Sequence, residues 1–400
     1  MKNFFKTIFL IFLLASAVSS CDAGVFAEDE DPLLGVKEGW AWPVVVIPPK
    51  DGWDSAAGKS IKYAMRTAER EISLRRDAIR GREVTFMFSD IGGMDELLPR
   101  LETWRAMKVS AIVSFAQDDF SAVLAELCGE RGPSVIFTGG EGVRIRSEDT
   151  GKPRPYLFAL DLPYYSRANA IAEAILTRYS GEQTAVVTDI LSQKLARGAE
   201  LNIRFLRARG LQTLDLSVTA YRQDQFLPQV LEAGAGGTKV FVCWLDAMAA
   251  LSIWQNTTRR RSGAVVCYYG PAQQILTDAD GMIVVDKDAP LVRNEEGRRA
   301  IMMKIRDVFD VIVEDPVTAA RALAAADWVI GAYHSAGADS AREIALALER
   351  RSGIPLMDEV LSIDPGTHRP VSRKFGVLEV RGRTYESSGT VEVLSSETVE

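Results

Sequence analysis

The feature that most constrains the fold of this chain is a regular alternation of short apolar runs, many of them β-branched, with longer helical stretches. The first set of runs lies at 44–47, 84–88, 109–113 and 135–137. After a Gly- and Pro-containing break at 139–155, further runs follow at 156–160, 185–187, 214–218, 240–243, 265–268 and 282–285. Continuous apolar strands separated by amphipathic helices are typical of parallel sheets that are covered on both faces. The sequence therefore predicts an α/β protein with two units in tandem, each with four to six strands.

The amino terminus has the pattern of an export signal. Lys2 and Lys6 precede an apolar stretch at 8–17, and small residues lead to Cys21. We expect residues 1–20 to be a signal peptide. The Val-Ser-Ser-Cys sequence resembles a bacterial lipoprotein box, which would make Cys21 the lipidated first residue; the alternative is ordinary cleavage near Ala23 or Ala27. The acidic stretch that follows predicts a solvated tether over 21–39.

Charge, export and residue types narrow the classes of function. A net charge of −7 gives the chain no general attraction for nucleic acid, and an exported protein meets little ATP or NAD. The stretch at 52–60 resembles a P-loop but has five residues between its glycines, where the motif needs four. No spacing typical of a metal site is present, and we expect no cofactor. Cys128, Cys243 and Cys267 are predicted to be buried free thiols.

The order of elements resembles a type I periplasmic binding protein of the Leu/Ile/Val-binding kind. The resemblance rests on the first strand with its loop (43–49), the strand at 111–114, two hinge crossings (156–161 and 280–285) and a C-terminal hairpin (363–377). It implies two doubly wound parallel-sheet lobes joined by a multi-strand hinge. Lobe 1 would comprise 40–158 and about 287–345, lobe 2 would comprise 159–286 and about 346–386, and 387–400 would form a flexible tail.

In such a fold the ligand binds in the crevice between the lobes, where the carboxyl ends of the strands meet. The candidate ligand-binding residues of lobe 1 are Trp53, Ser114, Phe115, Ala116, Gln117, Asp118, Thr138 and Gly139. Those of lobe 2 and the crossing are Asp161, Tyr164, Asp189, Trp244, Asp246 and Tyr269. We expect Thr138 to donate to a ligand carboxylate and Asp246 to accept from an ammonium group. The acids Asp118 and Asp119 depart from the family pattern, and their negative charges would oppose a bound carboxylate.

The resemblance implies a solute receptor that closes on a small organic ligand, such as an amino acid, an amide or a related solute. The implied partner is an ABC permease in the membrane, with the membrane itself reached only through the lipid anchor. Two alternatives remain open from the sequence. One is a ligand sensor of the same fold that does not take part in transport. The other is an exported hydrolase using carboxylates such as Asp118 and Asp246 across the cleft.

Overall fold

A computed structural model describes the chain from Ala41 onward. The described residues are 41–75, 82–91, 93–139, 142–220, 222–258, 264–270, 279–336, 340–382 and 384–394. The predicted signal peptide, Cys21 and the tether lie outside these residues.

The first lobe is built on a parallel sheet in the order β2-β1-β3-β4-β5. Its strands are β1 (Ala41–Ile47), β2 (Glu83–Phe88), β3 (Ala111–Ser114), β4 (Ser134–Phe137) and β5 (Leu157–Ala159). The helices that follow the first three strands are α1 (Ala56–Arg75), α2 (Met94–Ala106) and α3 (Asp118–Cys128). All residues of β3 and β4 are buried, because helices cover both faces of the sheet.

The second lobe contains a larger sheet in the order β15-β14-β10-β9-β8-β6-β7. Five of its strands are parallel: β6 (Thr184–Asp189), β7 (Thr213–Val218), β8 (Val240–Trp244), β9 (Val265–Tyr268) and β10 (Ile283–Asp286). Its helices are α4 (Ser166–Tyr179), α5 (Gln193–Ala208), α6 (Gln223–Ala235) and α7 (Ala247–Thr257). The sheet exceeds the expected six strands because two antiparallel strands extend it, β14 (Ser372–Arg381) and β15 (Thr384–Leu394).

The segment between β10 and β14 returns to the first lobe. It forms α8 (Ala289–Arg293), α9 (Glu295–Phe309), α10 (Pro316–Ala336) and α11 (Ala341–Glu349), followed by β11 (Ser352–Leu356), β12 (Glu359–Asp364) and β13 (Arg369–Pro370). Leu348, Ile354 and Leu361 are buried in the same core as Val44 of β1. The expected switch to lobe 2 at about 346 is therefore too early, because the small sheet β11–β13 buries its apolar face on lobe 1.

The carboxyl-terminal segment is ordered further than the sequence indicated. Strand β15 pairs with β14 from Thr384 to Leu394, and Val393 is fully buried in the core of the second lobe. The prediction of a flexible tail from residue 387 is therefore wrong as far as Leu394. β15 is the edge strand of the sheet, and its pairing with β14 satisfies the backbone groups on that side, which a Ser-, Thr- and Glu-rich composition does not reveal.

The chain crosses between the lobes three times: between β5 and α4, between β10 and α8, and between β13 and β14. The predicted fold class, two doubly wound lobes joined by a multi-strand hinge, is confirmed. Among the described residues, no helix is long and apolar enough to span a membrane.

The three cysteines of the described chain are free and buried, as predicted. Val242 pairs with Cys267, and Cys243 pairs with Tyr268, so the two strand thiols are offset by one position. Side chains alternate between the faces of a sheet, and Cys243 and Cys267 accordingly belong to different cores. This alternation keeps the two thiols from forming a disulfide.

Candidate functional site

A cavity of about 890 Å³ lies where the two lobes face each other. Lobe 1 contributes the first turn of α3, at Asp119 and Ala122, and the segment 142–144. Lobe 2 contributes the crossing segment 163–165 and the first two turns of α5, from Gln193 to Glu200. Both lobes therefore form the walls of one space, at the ends of the strands where the fold predicts a ligand.

The lobe 2 side of the cavity is backed by a cluster of aromatic rings. Tyr164 and Tyr269 follow β5 and β9, and Trp244 is the last residue of β8. Their rings come together here because those strands end at the same side of the molecule. Trp244 and Tyr269 stack with centroids 5.0 Å apart, and Tyr164 meets both rings edge-on at 5.8 and 6.4 Å. Trp244 is fully buried, whereas Tyr269 is half-buried, and burial raises the pKa of Tyr269.

Three predicted candidates are thus brought together, but they serve different purposes. Trp244 lies beneath Tyr269 and against Gly198 of α5, where a Cβ atom would be 2.2 Å from the indole ring. The Trp244 indole is 0 % exposed and therefore supports the wall of the cavity from behind. Tyr164 lines the cavity.

Basic side chains on α5 border the cavity and were not among the residues predicted from the sequence. Lys194 lies over the ring of Tyr164 at 4.7 Å, and Arg197 lies over the ring of Tyr165 at 5.9 Å. Arg197 also pairs with Glu200 at 3.0 Å. Basic residues in the first turns of a helix interact unfavourably with the helix dipole. Two cations at this end of α5 were therefore the feature of the sequence that could have identified these residues.

The two ligand loops of lobe 1 follow β3 and β4 and are tied to each other. The Thr138 hydroxyl donates to the Ser114 carbonyl at 3.0 Å, and the Ser114 hydroxyl accepts from the amide of Ala116 at 3.3 Å. In this arrangement the one hydroxyl proton of Thr138 is used by the Ser114 carbonyl, so donation to a ligand carboxylate would require the hydroxyl to turn and stays a prediction. Both side chains are buried and hold the loops in place.

The other candidates in these loops differ in exposure. Phe115 and Ala116 are half-buried, whereas Gln117 and Gly139 are exposed. Gln117 precedes α3 and makes no side-chain capping bond, and the backbone of Asp118 begins the helix. The side chain of Asp118 lies outside what the structure describes.

Trp53 follows β1 and is half-buried on lobe 1. Its indole Nε1 donates to the Ser89 carbonyl at 3.0 Å, and its ring meets Phe88 edge-on at 5.2 Å. Lys62 of α1 lies 5.4 Å from the ring centroid. These contacts fix the indole in one orientation while leaving part of its surface exposed.

Asp161 was predicted to contact the ligand, but its carboxylate is occupied within the hinge. It is 1 % exposed, and it binds Arg321 at 2.6 Å, Arg373 at 2.6 Å and Lys287 at 2.8 Å. Burial by itself raises the pKa of Asp161, yet the three cations outweigh it and hold that pKa well below its usual value. The sequence placed Asp161 at the crossing but gave no sign of cations from positions 287 to 373.

Asp189 and Asp246 both serve the local backbone. Asp189 accepts from the amide of Leu191 at 3.1 Å in the turn after β6. Asp246 is the N-cap of α7 and accepts from the amide of Ala249 at 2.9 Å. Among the described residues, the hydrogen bonds to these two carboxylates fall on Oδ1 in each case. Within the described part of the chain, no cluster of His, Cys, Asp and Glu suits a metal ion.

Two α/β lobes, three crossing segments and a cavity shared by the lobes are the architecture of a ligand-binding protein with its site between two domains. A family model described as periplasmic binding protein matches residues 42–384. The chain belongs to the periplasmic binding protein family, and its resemblance to type I receptors is confirmed. No curated protein sequence matches the chain significantly.

Solved structures share the fold at low sequence identity. A branched-chain amino acid ABC transporter periplasmic ligand-binding protein from Burkholderia xenovorans is 14% identical, with a TM-score of 0.69, and the match covers 88% of this chain and 96% of that one. A solute-binding protein from R. palustris in complex with benzoate is 15% identical, with a TM-score of 0.57 and coverage of 88% and 97%. A branched-chain amino acid transporter substrate-binding protein from Streptococcus pneumoniae in complex with isoleucine is 16% identical, with a TM-score of 0.59 and coverage of 88% and 99%.

Proposed function

We propose that this chain is an extracytoplasmic solute-binding protein that closes its lobes on a small organic ligand and presents it to an ABC importer. The observation that carries the proposal is the cavity formed jointly by α3 of lobe 1 and α5 of lobe 2. A ligand that contacts both walls of this cavity stabilises the closed state, because only the closed state makes both sets of contacts. The solute-binding proteins of similar fold support the same role.

The walls favour a solute with an apolar body and at least one charged or polar group. Tyr164 and Tyr165 offer ring surface, while Lys194 and Arg197 offer positive charge beside it. Asp119 and Glu200 line the same space and provide the opposite charge. An amino acid, an amide or an aromatic acid fits such a mixed surface, and Thr138 would donate to a ligand carboxylate only if its hydroxyl turned from the Ser114 carbonyl.

A thermal-shift screen tests the proposal. The mature domain would be screened against amino acids, amides, polyamines, short peptides and aromatic acids. A ligand at about 1,000 times its dissociation constant adds about 4 kcal/mol to the stability of the folded state. A clear rise in Tm for one chemical class supports a solute receptor. No rise with any class, for protein shown to be folded and free of carried-over ligand, contradicts it.

Trp53 provides a matched test on lobe 1. We expect Trp53→Ala to weaken binding of whichever solute the screen identifies, since it removes the half-buried ring at the end of β1. Trp53→Phe keeps an aromatic ring against Phe88 and loses only the bond to Ser89, so it serves as the control. An unchanged dissociation constant in Trp53→Ala would exclude this residue from the ligand surface.

We also propose that Cys21 carries the lipid that holds the protein at the membrane. The support is the small-residue sequence before Cys21 and the acidic stretch after it. Cys21→Ser should release the protein into the soluble fraction of fractionated cells. Retention of this variant in the membrane fraction would contradict the lipoprotein assignment.

A further inference from the structure

We propose that Arg321 is a positioning residue that links the hinge to the ligand loops of lobe 1, so that movement of the hinge changes the order of those loops. The inference rests on the proposed function, because it concerns the same cleft. Arg321 lies on α10, far in sequence from both the crossing at Asp161 and the loop at Thr138.

Arg321 contacts the hinge and a ligand loop with one guanidinium group. Its Nη1 donates to Asp161 Oδ2 at 2.6 Å and to the Thr138 carbonyl at 2.8 Å. Its Nη2 donates to the carboxylate of Asp288, in the second crossing. A planar guanidinium holds its donors in a fixed fork, so a shift of the carboxylates is passed to the carbonyl.

Asp161 joins cations from different parts of the molecule. Its Oδ1 accepts from Arg373, at the start of β14 in the sheet of lobe 2. Its Oδ2 accepts from Arg321 of lobe 1 and from Lys287 of the second crossing. One buried carboxylate therefore lies between a cation of each lobe, at the place where all three crossing segments meet. Separating such buried charges is costly, so the cluster moves as a unit when the lobes rotate.

A continuous chain of hydrogen bonds runs from this cluster to both ligand loops. Arg321 binds the Thr138 carbonyl, and the Thr138 hydroxyl binds the Ser114 carbonyl. The side chains of Arg321, Thr138 and Ser114 are all buried, so water does not substitute readily for these bonds. These hydrogen bonds hold the loops after β3 and β4 in a fixed position relative to the hinge.

Asp288→Asn is the variant that perturbs this link most selectively. The Asp288 side chain is one-third exposed, at 33%, so its replacement leaves Asp161 with its three cations and creates no fully buried unpaired group. Asp327→Asn is the matched control. Asp327 lies on α10, the helix of Arg321, and pairs with Arg351 at 3.0 Å, away from the hinge. Asp288→Glu tests whether a carboxylate at this position is sufficient for rescue.

Two readouts need no ligand. The first is the distance between spin labels on Leu98→Cys in lobe 1 and Met248→Cys in lobe 2, both at exposed positions, in exported protein that carries Cys21→Ser. Burial raises the thiol pKa of Cys128, Cys243 and Cys267, so the label attaches to the introduced sites. The second readout is backbone amide exchange in the loops at 114–117 and 138–139.

We expect Asp288→Asn to broaden the distribution of interlobe distances and to speed amide exchange in both loops by about tenfold, since the bond from Arg321 then goes to a neutral amide in place of a carboxylate. Asp327→Asn should leave both readouts unchanged, and Asp288→Glu should restore them. The proposal is overturned if Asp288→Asn behaves like Asp327→Asn. If Asp288→Asn does not fold, Arg321→Lys replaces it, because lysine keeps the charge and loses the fork.

The outcomes separate this inference from the proposed function. Failure of every solute to raise the Tm of the unaltered protein contradicts solute binding, whatever the hinge variants show. Unchanged distances and exchange rates in Asp288→Asn contradict the link through Arg321, whatever the solute screen shows.

Discussion

Gly198→Ala measures how rigidly the aromatic wall of the cleft is packed. The added Cβ would be 2.2 Å from Cζ3 of Trp244, and the indole has no room to retreat because it is fully buried and stacked on Tyr269. Overpacking of this kind costs about 3 kcal/mol at the upper end of its usual range. Alanine in place of glycine within a helix returns about 1 kcal/mol. The net loss of about 2 kcal/mol predicts a fall in Tm of about 4–8 °C if the lobe unfolds as a unit.

The assay is thermal unfolding beside a matched glycine variant. In Gly234→Ala the new Cβ would be 3.7 Å from Phe241, an ordinary contact, so we expect a stabilisation of about 0.5 kcal/mol. Combining Gly198→Ala with Trp244→Phe should make the alanine less costly than it is beside tryptophan, because the colliding part of the ring is removed. A Tm that rises in Gly198→Ala, as in Gly234→Ala, would refute the idea of a rigid wall.

Two further predictions concern regions away from the cleft. Burial lowers the pKa of His368, so the unfolded chain binds more protons, and stability should fall as the pH drops below about 6.5. Asparagine tolerates the left-handed backbone at position 368 (φ 55), and His368→Asn should reduce this pH dependence of stability. His334→Gln, at an exposed position, is the control and should not reduce it. The same pH dependence in the unaltered protein and both variants would contradict the assignment to His368. Removal of 387–400 should lower stability by about 2 kcal/mol or more, because Val393 loses its burial, and truncation after Leu394 is the control. An unchanged Tm after the longer deletion would show that β15 contributes nothing.

The regular elements of both lobes were largely predictable from the sequence. The helix expected at 94–106 is Met94–Ala106, and the strands expected at 240–243 and 265–268 are Val240–Trp244 and Val265–Tyr268. These segments are clear because a buried parallel strand needs an apolar residue at every position, while its covering helix needs polar residues on one side. The small strands at 352–364 alternate exposed and buried residues and carry a much weaker signal.

The candidate site was predictable in its location more than in the roles of its residues. The sequence indicated that Tyr164, Trp244 and Tyr269 follow strand ends, and the rings do cluster. It could not show that Trp244 is buried behind the wall or that the Thr138 hydroxyl is consumed by Ser114. Hydrogen-bond partners and ring packing depend on distances between segments far apart in the chain, which local spacing does not contain.

The sequence by itself determined the alternation of strands and helices, the division into two units and the cleft as the place for a ligand. These follow from local hydrophobic patterns and from the rule that parallel strands present their carboxyl ends at one edge. Only the tertiary structure decided that the Asp161 carboxylate is occupied within the hinge and does not face a ligand alone, since its cations come from positions 287, 321 and 373. A buried charge is defined by the residues around it in space, and those neighbours are set by the crossings between the lobes.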